Sequence, residues 1–393
     1  MRSHQRNRPI RALIVSNSLG EGGAERFTSS LIMNLNRDRV EPSLCLLRGP
    51  VDYPLPPNLN PTILEKNRPW HIPRTIFRLR RLIAKQQPDV VISTIANANL
   101  LTGLALASGD LHTKWIARIG NDPAKEPVWQ RRMLGNRYRD ADYVVANSRG
   151  LAEGFRQYYS IDAALLKVIR NPVDFDRICS LGAAPIWTEL ESDSHVIMSV
   201  GRLSRQKRPD RLIEAFARVR REIPATLWIC GDGPLAEDTR SRISRYGLQD
   251  SVRMLGFQEN PFAYMHRASL FVLTSDHEGL PNALIEAQGL GLPAVSTRCE
   301  FGPDEIIEEG VTGRLTPTGD VAALATAMIE LLGDEKGRRE FSVSARRRAR
   351  ETFDVHELTR AWEDLCLNLA IPGRSDPLIV TPNSIYQATA NQV

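Results

Sequence analysis

Two glutamates with seven residues between them, Glu278 and Glu286, flank a turn and a short helical run within 273–293. The apolar stretch 270–274 reads as a buried parallel strand. Pro281 suits the first turn of a helix, where its missing N–H costs nothing. Ala283, Leu284, Ala287 and Leu290 then recur at helical spacing, and Gly289, Gly291 and Pro293 end the run. Glu278 is thus expected just ahead of a helix N-terminus, and Glu286 about a turn and a half inside it. Backbone N–H groups along 280–283 and the positive helix end suit a phosphate. Carboxylates on either side suit the hydroxyls of a sugar or ribose. Taken alone, the same pair also fits an N-cap acid and a solvated helical glutamate.

Three further clusters carry possible chemistry. Arg202 and Lys207 follow the apolar strand pattern of 195–200, where two cations can meet a diphosphate. In isolation they fit a solvated basic loop equally, since Arg205 and Arg208 are neighbours. Gly20, Gly22 and Gly23 lie between a strand over 11–16 and a helix over 27–35. Their spacing is not GxGxxG, so NAD binding is not read from it; a tight turn and a diphosphate loop both remain open. Asn97, Asn99, Arg118 and Asn121 fall at the ends of strands expected over 89–93 and 115–119, which face the ligand crevice of an open sheet and make them candidates for acceptor or sugar contacts.

The stretch 278–286, with its Glu-Gly-Leu-Pro-Asn turn, resembles the E-x7-E motif of retaining glycosyltransferase family 4, enzymes of the GT-B fold. The run 22–26, Gly-Gly-Ala-Glu-Arg, is similar to the family's entry loop. Arg202 and Lys207 match its phosphate-holding pair, Gly231-x-Gly233 its sugar-nucleotide loop, and Gly256-Phe257 positions around the base. The resemblance spans roughly 10–370. It implies an α/β protein with two facing Rossmann-like, doubly wound parallel-sheet domains and a cleft between them. It also implies transfer of a sugar from a UDP- or GDP-sugar to a hydroxyl with retention of configuration, without a metal or other cofactor. Glu278, Arg202 and Lys207 take catalytic roles in this reading. Gly20, Gly22, Gly23, Gly231, Gly256, Phe257, Gly279, Leu280, Pro281, Asn282, Ala283 and Glu286 take the donor. The chain departs from the family at Arg118-Ile-Gly-Asn-Asp-Pro123, where many members carry a His or a Ser-Glu-Arg-Asn-Asp-Pro run. Asn97, Arg118 and Asn121 are therefore acceptor-side candidates on position alone. A lipid-linked glycan acceptor in exopolysaccharide, O-antigen or glycolipid synthesis suits such enzymes. Two other readings remain: a nucleotide-sugar epimerase of the same architecture, and a basic nucleic-acid-binding protein.

The rest of the chain sets bounds on these readings. Its 393 residues suggest two or three domains, with ordinary globular shares of hydrophobic (42%) and charged (25%) residues. A net charge of +5 and a pI near 9.0 favour anionic partners without choosing among them. Five scattered cysteines form no CxxC or metal-spaced cluster. That points to reduced cytoplasm. The apolar run 12–15 is too short for a signal peptide, and no run reaches the length of a membrane span.

Repeated strand–helix alternation predicts one doubly wound domain over 1–175 and a second over 176–352, which the resemblance makes the acceptor-side and nucleotide-sugar domains. A helix over 353–371 would cross back to the first domain, with a disordered tail at 372–393. Residues 50–73 read as an irregular excursion and 179–193 as a linker. On the helix expected over 74–87, Arg74, Arg78, Arg81 and Lys85 share one face and Ile72, Ile76, Leu79 and Ile83 another. Such a helix covers a sheet, and its basic face could also meet anionic lipid at the inner membrane surface. The arginine-rich run 338–350 has a single aromatic, Phe341, so it reads as a solvated face rather than a nucleic-acid site.

Overall fold

The computed structural model describes residues 8–20, 22–66, 68–107, 109–186 and 195–371, so the expected tail at 372–393 lies outside the described residues. The chain divides into two compact units. One comprises 1–172 with 355–393, the other 173–354. The divisions fall at Pro172/Val173 and Asp354/Val355, against the expected 175/176 and 352/353.

The first unit alternates strands and helices: β1 (Ile10–Ser16), α1 (Gly23–Asn34), β2 (Val40–Leu46), β3 (Thr62–Ile63), α2 (Ile72–Gln86), β4 (Val90–Ser93), α3 (Ala96–Leu106), β5 (Lys114–Ile119), α4 (Val128–Tyr138), β6 (Tyr143–Ala146), α5 (Arg149–Tyr159) and β7 (Leu166–Val168). Its seven strands pair in the order β3-β2-β1-β4-β5-β6-β7, with every pairing parallel. Parallel strands covered on both faces read as continuous apolar runs, and Leu13, Ile14, Val15, Val90, Val91, Ile116 and Val145 are all buried.

Several boundaries move. α1 begins at Gly23, not Phe27, so part of the glycine loop is helical. The excursion at 50–73 contains β3 and a 3-10 turn at Pro69–His71, and α2 opens at Ile72 with Pro73 in its first turn, where proline is tolerated. The last strand of this sheet, β7, is only three residues long and ends at Val168.

The second unit runs α6 (Phe175–Gly182), β8 (His195–Val200), α7 (Pro209–Glu222), β9 (Ala225–Cys230), α8 (Ala236–Arg245), β10 (Val252–Gly256), α9 (Phe262–Met265), β11 (Leu270–Leu273), α10 (Asn282–Gly289), β12 (Ala294–Thr297), α11 (Pro303–Ile306), β13 (Gly313–Thr316), α12 (Val321–Gly333) and α13 (Glu335–Phe353). Six parallel strands pair as β10-β9-β8-β11-β12-β13. Ile197, Phe216, Leu227, Val272 and Met328 lie in its main core. Part of the expected linker is α6, whose N-cap Asp174 accepts from Arg177 N at 2.9 Å.

The final helix, α14 (Val355–Ala370), belongs to the first unit, with the Trp362 ring 5.5 Å from that of Phe27 on α1. Glu363 and Asp364 hold Arg39 beside β2. Among the described residues no helix is long and apolar enough to cross a membrane.

Candidate functional site

In the second sheet the chain leaves β8 towards β9 on one side and reaches β11 on the other. Open doubly wound sheets bind ligands at the carboxyl ends of their strands beside such a reversal. The loops there are 201–208, after β8, and 274–281, after β11. They are zipped together: Asp276 N donates to Gln206 O at 2.8 Å, Gln206 Nε2 to His277 O at 2.8 Å, and Thr274 Oγ1 to Lys207 O at 2.7 Å.

This zipper brings the predicted cation and carboxylate into contact. Lys207 Nζ donates to Glu278 Oε1 at 2.5 Å, and Ser275 Oγ donates to the same oxygen at 2.6 Å. Glu278 is 6% exposed, so its charge is offset by the ammonium and hydroxyl rather than by water. Arg202 stays exposed and, with Lys207, lines a small cavity shared with Ser199, Gly201 and Thr274. Arg208 is instead a brace. It sits at φ 52°, reaches Asp210 at 2.9 Å and Asp276 at 3.1 Å, and is held well above the usual range by Asp210. Arg211 also pairs with Asp276. Asp276, which helps fix the 274–281 loop, escaped the sequence reading because its partners Arg208 and Arg211 lie far upstream in the chain.

The glycines beside this site have a steric reason. Gly231 has φ 135°, and a Cβ there would lie 2.1 Å from Gly201 O. Only glycine lets the loops after β8 and β9 approach so closely. Gly256 ends β10, and the next residue, Phe257, turns out half-exposed. Gly279 and Leu280 precede α10. Pro281 is its N-cap residue rather than part of its first turn, with Asn282 and Ala283 leading the helix. Glu286 sits in the second turn at 2% exposure.

The first unit treats the candidates differently. Gly20 packs against Pro50, and Gly22 precedes Gly23, where α1 starts. The Glu25 carboxylate folds back over Gly22, and its burial pushes its carboxyl above the ordinary range. Arg118 is a correction to the acceptor-side reading. It is 2% exposed, donates to Thr94 O at 3.2 Å and Asn171 Oδ1 at 2.7 Å, and lies 3.9 Å over the Phe27 ring. Burial pushes its guanidinium down to about 9, so it remains charged at neutral pH. With these partners it braces strand ends and has no surface to offer an acceptor. Asn97 is half-buried and accepts from Gln130 Nε2 at 3.2 Å, while Asn121 is exposed. Asn99 is buried and donates to Arg118 O and Tyr138 Oη.

Two doubly wound parallel sheets, the second bearing a cation–carboxylate pair at its strand-order reversal, make this a protein of the GT-B fold class. Residues 187–348 match the profile of the glycosyl transferases group 1, and residues 21–177 that of glycosyltransferase family 4. The chain belongs to the group 1 glycosyltransferases. It is 28% identical to an uncharacterized glycosyltransferase of Methanocaldococcus jannaschii, over 75% of this chain and 83% of that one. It is 25% identical to the N-acetylgalactosamine-N,N'-diacetylbacillosaminyl-diphospho-undecaprenol 4-alpha-N-acetylgalactosaminyltransferase of Campylobacter jejuni, over 87% and 95% respectively. Anabaena HepE, solved in complex with UDP, superposes with a TM-score of 0.75 at 22% identity, covering 91% of this chain and 99% of HepE.

Proposed function

We propose that this glycosyltransferase moves a hexosyl group from a UDP- or GDP-sugar to a hydroxyl of a lipid-linked glycan, with retention, during polysaccharide or glycolipid assembly. The observation that carries this reading is the pairing of Lys207 with Glu278 beside exposed Arg202 at the reversal of the second sheet. As the glycosidic bond breaks, negative charge grows on the diphosphate and positive charge on the sugar ring. Arg202, Lys207 and the positive end of α10 stabilise the former. Glu278 favours the ring's positive character and takes its hydroxyls, Glu286 holds the ribose, and Phe257 offers a face for the base. The acceptor attacks from the face the diphosphate leaves, with a phosphate oxygen taking the acceptor proton. The lipid-linked acceptor named for the Campylobacter relative supports the acceptor class.

The test is the melting temperature of the protein with UDP, GDP, ADP and TDP. A ligand at a hundred times its Kd stabilises the folded state by about 2.7 kcal/mol. One base is expected to raise the melting point, with the shift reduced in Arg202→Ala and Glu286→Gln. Product NMR with the matching sugar nucleotide then reads the anomeric configuration. No shift with any nucleotide, in protein that melts cooperatively, would sink the reading.

A further inference from the structure

Past the carboxyl ends of β1, β2 and β3 the first sheet continues as irregular pairing. Leu47 N donates to Ser16 O, Arg48 N to Asn17 O and Leu64 N to Leu46 O, each at 2.9 Å. A parallel ladder steps by two, so Lys66 N would next reach Arg48 O. It donates instead to Leu47 O at 2.7 Å, and Glu65, at φ 58°, takes up the slip of one residue. The slip brings Lys66 level with Arg48 on the neighbouring segment. A non-glycine residue at positive φ stores strain and persists where its surroundings hold it there, most often at a working site. Here it delivers a second cation beside the first.

Two like charges in one place need a reason. Arg48 is exposed and Lys66 half-buried. Burial and, after it, the nearby Arg48 charge hold the Lys66 ammonium below its ordinary value. Among the described residues neither side chain is hydrogen-bonded or ion-paired. Their acidic neighbours are engaged elsewhere. Glu65 pairs with Arg78, and Glu25, whose charge Arg48 feels, bonds Ser18 and folds over Gly22. Arg39, Arg80 and Lys114 of the same unit each hold a carboxylate. Arg48 and Lys66 lie just past β2 and β3, at the edge where open parallel sheets bind ligands. Neighbouring strands are about 4.8 Å apart, so the two cations sit about 5 and 10 Å to the side of β1. That offset from the strand-order reversal between β1 and β4 suits a substituent of the ligand rather than its reacting hydroxyl.

We infer that Arg48 and Lys66 form an anion subsite of the first unit, which takes a phosphate, diphosphate or carboxylate substituent of the acceptor. Such a group offsets the repulsion between the two cations and accepts a fork of N–H donors from one and a compact ammonium from the other. The acceptor is then recognised by charge as well as by its hydroxyls, and an uncharged glycan of the same shape is disfavoured. The subsite follows from these two side chains; its assignment to the acceptor rests on the proposed transfer reaction.

The full chain, with UDP or GDP saturating the donor site, is titrated calorimetrically with inorganic pyrophosphate, glucuronate and glucose. At least one of the anions is expected to bind, and glucose not. Pyrophosphate ahead of glucuronate marks a phosphate-bearing acceptor, and the reverse order an acidic sugar. Lys66→Gln and Arg48→Gln should each weaken the anion at least about tenfold, whereas Lys66→Arg keeps it. In phosphate-free buffer Lys66→Gln should melt no lower than the wild type, since it removes a repelled, half-buried charge; loss of a merely structural lysine would lower the melting point. The nucleotide-dependent melting shift stays unchanged in these variants, so the subsite can fail while the donor reading survives. A chain with no nucleotide shift that still binds the anion through Lys66 reverses the case. Absence of binding for both anions would overturn the inference. So would anion binding that survives Arg48→Gln with Lys66→Gln, or glucose bound as well as glucuronate.

Discussion

Replacing Lys207 by methionine keeps the stem and removes the charge that faces Glu278. In the wild type Nζ lies 2.5 Å from Oε1, with the two side chains 25% and 7% exposed. The variant leaves a buried carboxylate hydrogen-bonded to the Ser275 hydroxyl at 2.6 Å but without its ammonium. Loss of one partner from a fully buried pair costs about 3–5 kcal/mol. Lys207 is a quarter exposed, so water already screens part of the interaction, and about 2 kcal/mol is the reasonable figure. The unit spanning 173–354 is of a size that shifts about 2–4 °C per kcal/mol, which places its transition about 4–8 °C lower. Calorimetry of wild type, Lys207→Met, Glu278→Gln and the double variant completes the cycle. Because the double variant removes both charges, it should be more stable than additivity allows by at least about 1 kcal/mol. Lys207→Met melting with the wild type, or a double variant no better than the sum of its parts, would refute the claim that this pair stabilises the site.

Three other substitutions or treatments read different parts of the structure. Gly231→Ala puts a Cβ 2.1 Å from Gly201 O at φ 135°, and should cost more than about 3 kcal/mol and abolish the nucleotide-dependent melting shift. Burial pushes the thiols of Cys45, Cys230, Cys299 and Cys366 up to about 12, whereas Cys179 is half-exposed; intact-mass analysis after mild alkylation should find a single label, on Cys179. The folded state raises the Glu25 pKa above its unfolded value of 4.5, so this group's contribution to stability is present below that pH and is lost as pH rises through the folded value. Glu25→Gln should remove this component and melt higher than wild type at neutral pH.

The strand–turn–helix stretch that carries Glu278 and Glu286 was legible because its information is local. Strand, turn and helix lie within one short stretch, and the two glutamates keep their places relative to α10 whatever the rest of the chain does. Distant pairing was not legible. β2 passes unnoticed in the sequence because Pro42 interrupts it, and proline removes a ladder hydrogen bond. The structure tolerates it because β3 joins β2 only at Cys45 and Leu46, which leaves Pro42 beyond the reach of that pairing. α6 hid for another reason: eight residues give too little periodicity to register, although Asp174 at its start was a capping signal.

Arg118 and Arg202 show where the positional rule for ligand contacts needs sharpening. Both are arginines near the carboxyl end of a central parallel strand, and both were assigned to ligands on that ground. Arg118 is the penultimate residue of β5, still inside the ladder, where the pleat directs its side chain into a covered face. There Phe27, Thr94 O and Asn171 can each be reached, and together they offset part of the cost of burying the charge. Arg202 lies two residues beyond the last residue of β8, where the pleat no longer dictates direction, and it stays in water beside Lys207. An exposed guanidinium has paid no desolvation and can gain two charge-assisted hydrogen bonds when a diphosphate arrives. A buried one has already spent that capacity on the fold. Within a covered parallel sheet, a basic residue inside the ladder therefore belongs to the architecture, and one just past it is available for chemistry.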